Sequence, residues 1–284
     1  MKIGVSSYSF GKHLIATKCS YLDICDKAKE MGFDAIEFID LEHYSSAMLG
    51  TEEETALKIK EHCEKIGLEI SDYAVTADLL NVEAEVTVNK VLRRIDIASI
   101  LGVKLLRHDI CHALPKSYLY TYRDAIKVVA PRIRKITEYA AKKGIKTCSE
   151  NHGRVFQSPE RVEELILAVG SDNYGWLCDM GNFLGVDADP VKSVTIAAPY
   201  TFHVHAKDVL YKSGEGERPE GFGVTEGGNF IRGTVLGHGV VPIKQCINIL
   251  KNKGYDGYIT IEFEGKEECI PSIDAGLKFL KAVM

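Results

Sequence analysis

The 284-residue sequence has no apolar run approaching the roughly 20 residues of a membrane helix. It has no G-x-G-x-x-G turn, so the dinucleotide-binding form of an open α/β sheet is not indicated. Its eight cysteines include no C-x-x-C pair, and in a chain this long they read as reduced thiols, not a disulfide framework. A basic stripe is missing too. The net charge is −5, and Lys and Arg are interspersed with Asp and Glu, which argues against a nucleic-acid partner. The start, MKIGVSSYSF, reads as a strand and lacks the apolar stretch of a signal peptide. The expectation is a cytoplasmic protein with neither membrane nor nucleic acid as partner.

What is present is a repeated unit. A helix-like stretch closes on glycine and an apolar strand follows, at Gly32, Gly67, Gly102, Gly144 and Gly254. Thr51 with Glu54 has the spacing of a capping box, and Ser158-Pro159 that of an N-cap followed by proline. Strands are predicted at 2–8, 34–39, 68–75, 103–108, 145–150, 174–179, 200–206 and 257–262. Eight strands, each followed by a helix, predict a single (β/α)8 TIM barrel over residues 1–284. After the seventh strand, the glycine-rich segment 209–239 is long for a connection. It reads as a flexible lid over the strand ends, with room for a short hairpin. Cys111, His112, Tyr118, Tyr120 and Tyr122 read as packing residues.

In such a barrel the active site lies at the C-terminal ends of the strands. The last four strands finish on Glu150, Asp179, His205 and Glu262. A carboxylate there must be paired, coordinated or solvated. Three carboxylates and one imidazole form an oxygen-rich set that suits Mn2+ or Mg2+, with Co2+ or Zn2+ as alternatives. Side chains alternate along a strand, so His203, His205 and Lys207 share a face. His205 is then at the mouth, His203 a layer deeper and Lys207 nearer solvent, while Asp208 faces away and anchors the loop. Candidate substrate contacts are His152, Arg107, His108, Asn182, Glu37, Tyr8 and, from the lid, Arg232. Alternation does not decide which of Arg107, His108 and Asp109 faces the mouth.

The motifs SENHG (149–153), CDMGN (178–182), HVHAKD (203–208), GHGVVP (237–242) and GYDGYITIEFEG (254–265) resemble the xylose-isomerase-like TIM-barrel superfamily, the sugar phosphate isomerase/epimerase group. The resemblance spans essentially the whole chain. It implies that Glu150, Asp179, His205 and Glu262 are metal ligands, and that Glu150 and Glu262 form a proton-transfer pair. Two positions depart from the ketose 3-epimerase pattern. Asn182 stands where those enzymes carry a histidine, and Tyr211 where they carry an arginine. Lys207-Asp208 looks more like the dehydratase and isomerase branches. RGTVLGHG (232–239) with IEFEG (261–265) also looks like barrel subunits that cleave oxidised glycosides by elimination. Asn182 replaces a ligand that the trinuclear site of endonuclease IV requires.

The function expected first is a metal-dependent sugar isomerase or epimerase that abstracts a proton beside a carbonyl, through an enediolate stabilised by the metal. In that reading Lys207 steadies the enediolate oxygen. If Lys207 instead protonates a leaving group, the same site is a lyase: an inosose or dehydroshikimate dehydratase, or an eliminase of 3-oxo-glycosides. Outside catalysis, a salt bridge from Lys207 to Glu215 or Glu217 is the alternative. A non-catalytic sugar-binding barrel is the reading from a different class. The partner expected is a small sugar-derived molecule, with a homo-oligomer or a partner subunit left open.

Overall fold

The computed structural model describes residues 1–117 and 119–284; Tyr118, read above as a packing residue, lies outside the described residues. Eight parallel strands close on themselves: β1 Lys2–Ser6, β2 Ala35–Ile39, β3 Glu69–Val75, β4 Leu105–His108, β5 Lys146–Glu150, β6 Tyr174–Asp179, β7 Thr201–Ala206 and, last in the chain, β11 Tyr258–Ile261. Closure is made by β1, which aligns Gly4 with Ala35 of β2 on one side and Lys2 with Tyr258 of β11 on the other. The predicted fold is the observed one, with strand limits differing by a residue or two. Two residues separate prediction and structure at the start of β4 and at the end of β1, which stops at Ser6. The Ser6 hydroxyl accepts from Tyr8 N and opens a 3-10 turn, Ser7–Phe10, which carries Tyr8.

Local signals place the connecting helices. Gly32 and Gly102 sit past helix ends at φ 89° and 81°, a region closed to most side chains, and their N–H groups bond back to carbonyls of the last turn. Thr51 and Glu54 form the predicted capping box. Ser158 precedes Pro159 at the start of its helix. The buried apolar side chains form two bodies. The large one lies between strands and helices and includes Trp176, Phe38, Ile59 and Ile133. The small one plugs the inside of the barrel with Leu105, Cys148 and Leu177, with Phe202 against it. All eight cysteines are free thiols, and no described helix is long and apolar enough to cross a membrane.

The segment read as a flexible lid carries strands of its own. β8 Asp208–Lys212, β9 Gly223–Val224 and β10 Phe230–Thr234 make a three-stranded antiparallel sheet in the order β8-β10-β9. It is pinned at several points. Asp187 accepts from Tyr211 Oη, Gly227 N and Asn229 Nδ2 at 2.6, 2.6 and 2.9 Å. Asp208 accepts from the N–H groups of Gly237, Gly239 and Val241. Such anchoring ties this three-stranded roof, which contains a hairpin of the kind the sequence left room for, to the barrel.

Candidate metal centre

Alternation along β7 sends His203, His205 and Lys207 into the barrel, in layers. Above the apolar plug lies a polar layer. His203 Nε2 is 2.9 Å from Thr260 Oγ1, 3.3 Å from Glu37 and 3.4 Å from Asp72. Burial, followed by the Glu37 charge, pushes the Asp72 carboxyl up to about 7. Above this layer stands His205. Its Nε2 is 2.6 Å from Glu37 Oε2, and Glu37 is fully buried. With a carboxylate as acceptor, Nε2 carries the proton and the Nδ1 lone pair faces the mouth.

Nδ1 of His205 lies 3.9 Å from Glu150 Oε1, 4.0 Å from Asp179 Oδ2 and 3.6 Å from Glu262 Oε2. The four residues each offer one donor atom, all within 4.8 Å of one another. Asp179 Oδ2 and His205 Nδ1 are buried and have no hydrogen-bond partner. Unpaired buried polar atoms are costly, and two of them facing one small volume with two further carboxylates fit a cation. Their chemistry, three oxygens and one nitrogen, is that of a site for a hard or borderline divalent ion. Asp179 is held in this orientation by its Oδ1, which accepts from the N–H groups of Gly181 and Asn182, while Oδ2 accepts no hydrogen bond and faces the Lys207 ammonium at 3.3 Å.

Around the donors is a shell of cations and amides. Arg107 Nη2 donates to Glu150 Oε2 at 2.5 Å and pairs with Asp109 at 2.8 Å. Asn182 Nδ2 donates to Glu150 Oε1 at 2.7 Å, and its Oδ1 accepts from Lys207 Nζ at 3.2 Å. Lys207 does not reach Glu215 or Glu217. Its ammonium lies 2.5 Å from Glu262, 3.0 Å from Glu264 and 3.3 Å from Asp179. Burial alone would lower the Lys207 value, but these carboxylates hold it well above the usual range. Burial would likewise raise Glu262, yet Lys207 and His205 keep it well below. Asp179 is pushed up to about 7 by burial, against the pull of Lys207.

The structure brings together most of the predicted site residues. Tyr8, Glu37, Arg107, Glu150, His152, His205, Lys207 and Glu262 line one cavity of about 220 Å³ at the strand ends. His152 is half exposed at its rim, 3.8 Å from Asp109. Three expected substrate contacts take particular places. His108 lies on the opposite face of β4 from Arg107, fully buried and stacked on Tyr174 with ring centroids 6.0 Å apart. Glu37 lines the cavity and also sits behind His205, in position to orient that ring. Arg232 is on β10, 3.4 Å from Glu267, beside the cavity instead of in it. Asp109, which alternation left undecided, lines the cavity too, as do Asp40, His43, Thr76 and Glu264, to which the sequence gave no role. For Asp109 and Glu264, the i+2 spacing from Arg107 and Glu262 was the available signal.

The model of the Xylose isomerase-like TIM barrel family matches residues 25–283. The chain belongs to that family. Among curated relatives, the inosose dehydratase of Lacticaseibacillus casei is 22% identical over 254 residues, 85% of each chain. The inosose dehydratase of Clostridium perfringens is 23% identical over 158 residues, 55% of this chain and only 53% of that one. Among solved structures of this fold, the probable 3-DHS dehydratase AsbF of Bacillus anthracis superposes with a TM-score of 0.75 at 22% identity, covering 99% of both chains. The IOLI protein with a bound zinc atom gives 0.74 at 17% identity, over 100% of this chain and 98% of that one. In this xylose isomerase-like barrel the four donors lie at the strand C-termini, the end where active sites of the fold are found.

Proposed function

We propose that this chain is a metal-dependent dehydratase acting on a cyclic, sugar-derived ketone of the inosose or dehydroshikimate kind. The observation that carries the reading is the Lys207 ammonium, buried and 2.5 Å from Glu262 within a cluster of four metal donors. The names of the curated relatives support the same branch, and so favour elimination over the isomerase or epimerase outcome. Glu150, Asp179, His205 and Glu262 would hold the ion, with Mn2+ or Mg2+ the expected metals. A bound divalent ion supplies positive charge for a carbonyl oxygen as the adjacent C–H proton leaves.

The chain's own groups divide the remaining work. Both Glu150 oxygens are engaged, by Arg107 and Asn182. Glu262, with 12% of its side chain exposed, is the more open of the two and acts as the base. It takes the proton from the carbon beside the carbonyl, and the electron pair expels the hydroxyl of the next carbon. Lys207 gives its proton to that hydroxyl, and water leaves. The proton on Glu262 then passes to the Lys207 amine across their contact, restoring both groups. All of these groups come from one chain, and eight free thiols are in keeping with a cytoplasmic setting.

The test is incubation with inosose and with 3-dehydroshikimate, with Mn2+ and after chelation, followed by mass and absorbance. Metal-dependent loss of water is the expected result. Metal-dependent deuterium uptake from solvent with every hydroxyl kept would make the enzyme an isomerase or epimerase. Metal-independent sugar binding without turnover would make it a binding barrel.

A further inference from the structure

The cavity over the metal donors is only half of the cleft. A second cavity, about 450 Å³, lies between the ends of β5 and β6 and the three-stranded roof. The two share His152, Lys207 and Glu264, so a molecule seated at the donors can extend from one into the other. Small-molecule pockets commonly span about 300–1,000 Å³; the first cavity alone falls short of that range and the pair falls within it.

The second cavity has a charge of its own. Its walls include Arg154, Arg232 and Lys207, and a single carboxylate, Glu264, which already pairs with Lys207. Arg154 has no carboxylate within salt-bridge distance among the described residues; its side chain donates to the carbonyl of Val224 on β9 at 2.9 Å. Arg232 reaches Glu267 only at 3.4 Å, and its Nε is buried without a partner. Arg154 also holds a left-handed backbone at φ 67°, rare for a residue with a side chain and common where a fold fixes a group for a ligand. One guanidinium without an acidic partner and a second whose buried Nε is unpaired, beside a cleft, offer donors for a planar or tetrahedral oxyanion.

We propose that this roof-side cavity is a subsite for an anionic group, a carboxylate or a phosphate, carried by the substrate whose ring lies at the metal donors. The proposal rests on the reading of those donors as the reaction centre. Within that reading it selects ring ketones that bear an acidic substituent over neutral ones such as an inosose.

Calorimetric titration of the Mn2+-loaded protein with myo-inositol, quinate and myo-inositol 1-phosphate tests it. These unreactive ring polyols carry no charge, a carboxylate and a phosphate in turn. The expected result is binding roughly tenfold tighter, or more, for an anionic probe than for myo-inositol. Preference for quinate alone identifies a carboxylate site, and preference for the phosphate alone a phosphate site. Arg154→Gln and Arg232→Gln, each checked for folding by circular dichroism, should reduce that preference while leaving Mn2+ and myo-inositol affinity unchanged. Equal binding of the three probes, or no binding of any, overturns the proposal. So does a preference that survives in the double variant, since the metal alone would then attract the anion. Failure of Mn2+ itself to bind strikes the reading of the donors instead, and the same probes on the metal-free protein then decide the subsite.

Discussion

Strands β5, β6, β7 and β11 end on groups that converge on one volume, whereas β2 and β4 end on groups that hold those in place. Glu37 of β2 backs His205 at 2.6 Å, and Arg107 of β4 grips Glu150 at 2.5 Å. One half of the barrel turns donor atoms toward a shared volume; the other sends one side-chain atom each from Glu37 and Arg107 to hold a donor. The contrast shows how a barrel tolerates so much buried charge. His205 and Glu150 are fixed from across the barrel, and Asp179 and Glu262 by nearer neighbours, so little reorganisation would be left for an ion to demand.

The largest effect should come from the donor half. Glu262→Gln is expected to lower turnover by about 10²–10⁴-fold, the usual range for losing a general base, while Mn2+ stays bound. Steady-state rates beside a metal titration check this, and full activity in the variant would remove Glu262 from the proton-transfer step.

A different outcome is expected on the supporting half, at a residue turned away from the mouth. Burial pushes the His108 imidazole down to about 4, from an ordinary value of 6.5. Between those two values the unfolded chain binds a proton that the folded chain refuses. Stability contributed by neutral His108 is therefore complete above pH 6.5 and lost as the pH falls toward 4, by about 3 kcal/mol. Denaturant melts over that range, on the wild type and His108→Phe, should show a flatter pH dependence in the variant. Equal slopes would mean that His108 is not held neutral.

Glu37→Gln tests the division between the halves itself. Losing the carboxylate behind a metal-bound histidine typically weakens the metal about 10–100-fold. Mn2+ titration should show that loss with the fold intact, and unchanged affinity would leave Glu37 with no part in the centre. The smallest effect is expected at the roof. Asp187→Ala removes three hydrogen bonds to Tyr211, Gly227 and Asn229 and should cost about 1–2 kcal/mol locally. Hydrogen exchange across 223–234 should quicken, with melting of the barrel little changed.

The sequence shows the donor half better than the supporting half, for a physical reason. A donor ends an apolar strand, so Glu150, Asp179, His205 and Glu262 announce themselves one strand at a time. A supporting residue is defined by its partner. Glu37 meets His205 across 168 positions of chain, a pairing set by barrel closure and invisible to local pattern. The sequence therefore offered Glu37 as a substrate contact and gave no sign of this pairing. Alternation gave the shared face of His203, His205 and Lys207 but not the phase of β4, which left Arg107 and His108 undecided. The roof was legible only in part. Its length and glycines left room for a hairpin, while the anchor at Asp187 lies outside the segment.

The most direct test of the metal centre is anomalous diffraction from crystals grown with Mn2+. One anomalous peak is predicted, within coordination distance of Glu150, Asp179, Glu262 and the Nδ1 of His205, with Glu37 still bonded to Nε2. A peak elsewhere, or none at these four residues with Mn2+ in excess, would contradict it.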